Sequence, residues 1–200
     1  SYLFAFASRG QAKKLSLPFW VYFAGLTVCY VLVLLALFPG VISYDFEHEI
    51  RQFTSGVYEA AHPVFHTLLL GSLYALGETL FGSMTAGAAT YSVVQLLLLA
   101  GLYAWACAFV QRRTAKWVAP LLAFGFALLP FHGVMAVSTA KDPLFSGLCV
   151  MLCLTLWEIA ENPSENLHNR KLCARFAVVC TLMCLLRHNA IAAVALGCLA

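Results

Sequence analysis

Charged side chains are scarce in this sequence: Lys and Arg number 12 and Asp and Glu 9 among 200 residues, against a hydrophobic share of 62%. A chain so short of charge cannot cover a water-facing surface, which excludes an ordinary soluble domain. Its basic residues fall in short clusters between apolar runs, with no basic stripe, so nucleic acid is excluded as a partner. No HExxH motif is present, which leaves a zinc hydrolase without its ligand pattern. The eight cysteines avoid the most polar interval, 39–67, and sit almost wholly in apolar runs, so exoplasmic disulfides are not expected. Cys149/Cys153 and Cys180/Cys184 have helical i,i+4 spacing, but small apolar thiols at such spacing are ordinary packing residues.

Long apolar runs are what the sequence has in abundance. Leu17–Phe38 reaches about 33 Å as a helix at about 1.5 Å per residue, enough to cross a hydrocarbon core and too long for a cleavable signal peptide. Further runs cover Val64–Phe81, Ala88–Val110, Trp117–Val137, Pro143–Ala160 and Phe176–Leu186, followed by Ala190–Ala200. The expected class is all-α, a polytopic transmembrane bundle in the cell membrane. Starting at Ser1 and stopping at Ala200 inside an apolar run, residues 1–200 read as the N-terminal part of one longer domain, truncated at both ends.

Basic clusters orient the runs. Arg9, Lys13 and Lys14 precede the first span and make its N-terminus cytoplasmic, and the links Gln111–Lys116 and Asn169–Arg175 read as cytoplasmic too. These signals agree only if the chain crosses an even number of times between Lys14 and Arg112, although three apolar runs lie there. Val64–Phe81 is the weakest of the three, since it carries His66 and Glu78 and is interrupted by Gly71 and Gly77. It is expected to lie at the exoplasmic interface rather than to span.

The polar interval 39–67 then becomes an exoplasmic loop, and the ionisable groups gather there. Pro39-Gly40 stops the first helix, and DFEHEIRQF places Phe46, Ile50 and Phe53 at near-helical spacing, which predicts an amphipathic helix on the membrane surface. Asp45 would begin it, either capping the helix or serving as a base. His62-Pro63 heads the next run, and His62 and His66 share one face at i,i+4 spacing, a pair that zinc could use only with an acid from elsewhere. On the same topology Lys141-Asp142 and Arg187-His188-Asn189 also reach the exoplasmic side. Charges so close to hydrocarbon snorkel, pair or contact a ligand, and an Arg with a Lys beside lipid suits a lipid-linked phosphate.

A long first span, Asp45 early in the first outer loop, His62-Pro63 heading a short apolar helix and Asp142-Pro143-Leu144 after the third span resemble the GT-C membrane glycosyltransferases, among them the protein O-mannosyltransferases and the lipid A aminoarabinose transferases. The order FPG, YD, HP, T, KDP, RHN within Leu17–Ala200 also resembles an uncharacterised bacterial membrane family of that superfamily. The resemblance implies a GT-C-like bundle whose exoplasmic first loop contains in-plane helices. It also implies transfer of a sugar from a polyprenyl-phosphate carrier in the membrane lipid to an exoplasmic acceptor, with Asp45 as general base and His62 and Asp142 as further catalytic groups. Glu47, Gln52, His66, Lys141, Arg187, His188 and Asn189 are the expected substrate-binding residues. The residues name no cofactor, and a divalent cation at the acidic site is compatible with them. Asp45 is followed by Phe46 rather than a second acid, and a single Pro63 stands where the mannosyltransferases have two prolines. A transporter or channel using the same His, Asp, Lys and Arg groups as an ion pathway is the reading from another class.

Overall fold

The computed structural model describes residues 17–59 and 62–192, and within them every regular element is a helix. The helices are α1 (Phe19–Ala36), α2 (Phe46–Ser55), α3 (Val64–Phe81), α4 (Met84–Arg113), α5 (Val118–Leu128), α6 (Pro130–Ala136), α7 (Asp142–Glu161), α8 (Pro163–Asn166) and α9 (Arg170–Leu186). Arg9, Lys13, Lys14 and the end of the Ala190–Ala200 run lie outside the described residues.

Helix α4 is the axis of the bundle and packs against α1, α3, α5, α6 and α7. On α1 a single stripe, Tyr22, Leu26, Tyr30 and Leu34, is buried at four-residue spacing against Leu96, Leu99, Tyr103 and Cys107 of α4. The other faces of α1 expose Trp20, Val28, Leu32 and Leu35. In water such a surface would drive aggregation, whereas in hydrocarbon it is at home. Helices α1, α3, α4 and α7 are each long and apolar enough to cross a membrane, as is α5 with α6 taken together. Among the described residues the protein is all-helical, and its several apolar helices mark it as a multi-pass membrane protein.

Contacts between distant residues sort the helix ends into two groups. At one end the Tyr22 hydroxyl donates to Gln111 Oε1 at 2.6 Å, and Arg113 pairs with Glu158 at 3.2 Å and Glu161 at 3.1 Å. Arg175 joins them by donating to Glu158. At the opposite end Gly40 packs against Ser92 and Val137, Asp45 meets Lys141, and Arg187 meets Asp142. Helices α1, α4, α5 with α6, α7 and α9 therefore run alternately between the two ends. Helix α3 does not. Its first turn carries His66 onto Tyr91, two turns into α4, while its last residue joins α4 through Gly82-Ser83 alone. Helix α3 packs on the N-terminal half of α4, closely at Gly77 against Thr90 and at Gly87 against Tyr74.

Three segments take a form that their apolar and basic patterns do not show. The Trp117–Val137 run holds two helices bent by 63° to one another, because Pro130 has no N–H to donate and Leu129 before it is extended, with ψ 118°. Arg170, Lys171 and Arg175 are not in a link but inside α9, whose first turn is capped by Asn169 Oδ1 accepting from the amides of Lys171 and Leu172. Helix α2 forms as expected, yet the side chains it buries are Glu49 and Gln52, at 2% and 4% exposure, while Phe53 packs onto the bare backbone of Gly71.

Candidate active site at one end of the bundle

Two backbone segments build the floor of the site. After α1 the chain turns through Gly40 at φ 125°, where any side chain would strike Ser92 and the Val137 carbonyl oxygen. Residues 41–43 then lie alongside 137–139: Val41 N–H donates to Val137 O at 3.0 Å, Thr139 N–H to Val41 O at 2.9 Å and Ser43 N–H to Thr139 Oγ1 at 2.8 Å. This short parallel clamp brings Asp45 and Lys141 together across the chain.

Asp45 stands at the start of α2, but its carboxylate does not cap the helix. It accepts instead from Lys141 Nζ at 3.0 Å, and His62 Nδ1 lies 3.8 Å from the same oxygen. The hydrogen bond from Lys141 is the chief reason that the Asp45 carboxyl titrates below the usual carboxylate range, with the Lys141 charge, His62 and His48 adding to it against the opposing effect of burial. Asp45 is therefore an ionised, half-exposed carboxylate at neutral pH.

Glu49 follows one helical turn later on the same face of α2 and is almost wholly buried. Its Oε2 is 2.6 Å from His66 Nδ1 and its Oε1 3.8 Å from His62 Nδ1. Beyond His66 the polar chain continues inward: His66 Nε2 is 2.8 Å from the Tyr91 hydroxyl, which donates to Gln95 Oε1 at 2.8 Å. The Gln95 amide then donates to Met135 O at 3.2 Å and to Ser138 O. Both nitrogens of His66 are engaged, so the His62/His66 zinc pair is not available without breaking this chain. Asp45, Glu49 and His62 can bring one atom each within 4.8 Å of one another. That trio is the donor set a divalent cation would use, and the Lys141 ammonium already rests on its Asp45 oxygen.

The remaining expected residues fall at different distances from this centre. Asp142 begins α7 and pairs with Arg187 Nε at 3.4 Å, and the Arg187 guanidinium also lies over the Phe145 ring at 5.5 Å. Lys141 and Arg187 thus each face a carboxylate of their own. His188 lines an apolar cleft between the start of α3 and the end of α9, with Val64, Phe65, Cys184 and Leu185. Asn189 is exposed beside it, and Glu47 is on the exposed side of α2. Gln52 is buried behind the site, where its Oε1 accepts from the Glu59 amide at 3.5 Å and its Nε2 has no partner. Glu59 in turn meets His48 at 3.2 Å, and the His48 and His62 rings are 4.9 Å apart.

Sequence reasoning did not select Glu49, Tyr91 or Gln95. The available signals were the four-residue step from Asp45 to Glu49, which shares a helix face, and a lone amide in the apolar stretch Val93–Ala100. No curated protein and no solved structure matches the chain. Residues 54–199 match the model of DUF6020, a family of unknown function, and the chain belongs to that family.

Proposed function

We propose that this member of the DUF6020 family is an integral-membrane glycosyltransferase that moves a sugar from a polyprenyl-phosphate carrier to an acceptor hydroxyl on the exoplasmic side. The observation that carries the reading is the Asp45 carboxylate, which leaves its capping role unfilled and sits ionised between Lys141 and His62 at the bundle end where Asp142 and Arg187 also meet.

In the reaction the acceptor oxygen bonds to the anomeric carbon, the bond from that carbon to the phosphate oxygen breaks, and its electron pair leaves on the carrier phosphate. Asp45 takes the acceptor proton. Lys141 and Arg187 lie where cations would meet the departing phosphate, and Arg187 presents the planar set of donors that phosphate oxygens accept. Lys141 would exchange Asp45 for the phosphate on donor binding, which restores basicity to Asp45 at the moment it is needed. The apolar cleft beside His188 offers a place for the adjoining prenyl units. On this reading the site end of the bundle is exoplasmic, α2 and α3 are the in-plane helices of the first loop, and the N-terminus is cytoplasmic. The contact of His66 with Tyr91 and the short link from α3 to the N-terminus of α4 support that topology.

Purified protein assayed with a polyprenyl-phosphate sugar tests the proposal. Asp45→Asn should lower turnover by about 10²- to 10⁴-fold, the usual worth of a positioned general base, while leaving membrane insertion and expression unchanged. Turnover within a few-fold of wild type in that variant removes Asp45 from the role.

A further inference from the structure

The Asp45–Lys141 pair is underlain by a buried polar chain that joins the same two segments by another route. Glu49 is one turn beyond Asp45, and Ser138 is three residues before Lys141. Between them run Glu49–His66–Tyr91–Gln95–Ser138, with exposures of 2%, 0%, 1%, 1% and 4%.

The direction of the hydrogen bonds as far as His66 Nε2 follows from the inner end of the chain. Met135 O and Ser138 O are carbonyl oxygens and can only accept, so the Gln95 amide nitrogen must face them and Gln95 Oε1 must face Tyr91. The Tyr91 hydroxyl donates its single proton to Gln95 Oε1 and is left as an acceptor toward His66. His66 Nε2 therefore carries a proton. One further proton lies between His66 Nδ1 and Glu49 Oε2, whichever atom holds it, and the pair is neutral as a unit in both arrangements. Burial of a neutral, fully hydrogen-bonded pair is tolerable where a lone buried carboxylate is not.

We propose that Glu49, His66, Tyr91 and Gln95 are positioning residues that hold α2 against the 135–141 segment through hydrogen bonds of one direction from His66 Nε2 inward, and so fix Asp45 relative to Lys141 and His62. This rests on the transferase reading for its kinetic consequence, but the proton arrangement is a property of the chain itself. A buried polar chain whose directions are set from a backbone anchor as far as His66 Nε2 holds its members in register, and removing a link frees α2 to shift. Small displacements of reacting groups cost large factors in rate without altering substrate affinity.

The test has two arms on the intact protein in nanodiscs. In the first, imidazole nitrogen NMR on histidine-labelled wild type should show His66 protonated at Nε2, with that proton slow to exchange. A His66 with a bare Nε2 overturns the proposal, whatever the protein catalyses. In the second, Tyr91→Phe deletes the hydroxyl at the middle of the chain, with Tyr30→Phe as the control that deletes a buried hydroxyl, bonded to Phe126 O, away from the site. With a polyprenyl-phosphate sugar as donor, Tyr91→Phe should lower kcat roughly tenfold to a hundredfold with KM within about twofold of wild type. Tyr30→Phe should leave kcat unchanged. Equal kcat in Tyr91→Phe and wild type overturns the positioning role, and so does a loss of kcat matched by the control. Absence of transfer by wild type refutes the transferase reading instead, and the NMR arm still decides the proton arrangement.

Discussion

Lys141 Nζ lies 3.0 Å from Asp45 Oδ2, across 96 residues of sequence and between the loop after α1 and the first residue before α7. The contact holds Asp45 ionised and makes it a weaker base than a free carboxylate. Its consequence for pH dependence has a definite sign. A carboxyl whose folded value is depressed remains ionised as pH falls below the ordinary carboxylate range and is lost only as pH drops through the lowered value.

Lys141→Gln removes the largest cause of that depression. The Asp45 titration should then move upward, and the acid limb of the pH–rate profile should move to higher pH with it. The measurement is kcat/KM against pH for both proteins. A limb that stays in place, or moves to lower pH, shows that a group other than Asp45 controls it.

Arg187 faces Asp142 in the structure and faces the carrier phosphate in the proposed complex. Arg187→Lys keeps the charge but loses the forked donor geometry, so the donor KM should rise several-fold while the acceptor KM stays near wild type. Arg187→Ala should be worse. Titration of the donor lipid at fixed acceptor separates the two, and an unchanged donor KM in both variants assigns Arg187 to its pair with Asp142 alone.

Gly40→Ala should unfold the floor of the site. The residue has φ 125°, and a Cβ there would lie 2.6 Å from Val137 O and strike Ser92. Strain in that backbone region costs of order 1–3 kcal/mol before the clash is counted. We expect a lower melting temperature and loss of activity together, measured by thermal denaturation in detergent. Gly25, with open space around it, is the control position: Gly25→Ala should be close to neutral.

Glu47 and Arg112 are both exposed, and the contact pattern places them at opposite ends of the bundle. In a cysteine-free background, Glu47→Cys should react with a membrane-impermeant maleimide added outside intact cells and Arg112→Cys only after permeabilisation. Labelling of both from the same side contradicts the topology on which the proposed function depends.

The class of this protein was legible in the sequence by itself. Apolar runs of membrane length force helices, because a backbone in hydrocarbon must satisfy its own hydrogen bonds, and basic residues at run ends mark how the runs alternate. Gathering of the polar residues into 39–67, 141–142 and 187–189 was legible for the same reason: ionisable groups are expelled from apolar stretches unless something meets them. Tertiary structure alone decided what meets what. Lys141 could have turned to a phosphate or to Asp45 with equal sense, and only the clamp between residues 41–43 and 137–139 sets it on Asp45. The charge rule predicts a non-spanning Val64–Phe81, whereas its packing on α4 follows from close contacts at Gly77 and Gly87 and from the His66–Tyr91 bond. Glu49 is the clearest case. As a letter in an amphipathic helix it reads as solvent-facing, and it is buried because a histidine 17 residues away supplies the one partner that makes burial affordable. Pairing across such distances depends on where whole helices pack, which local pattern does not encode.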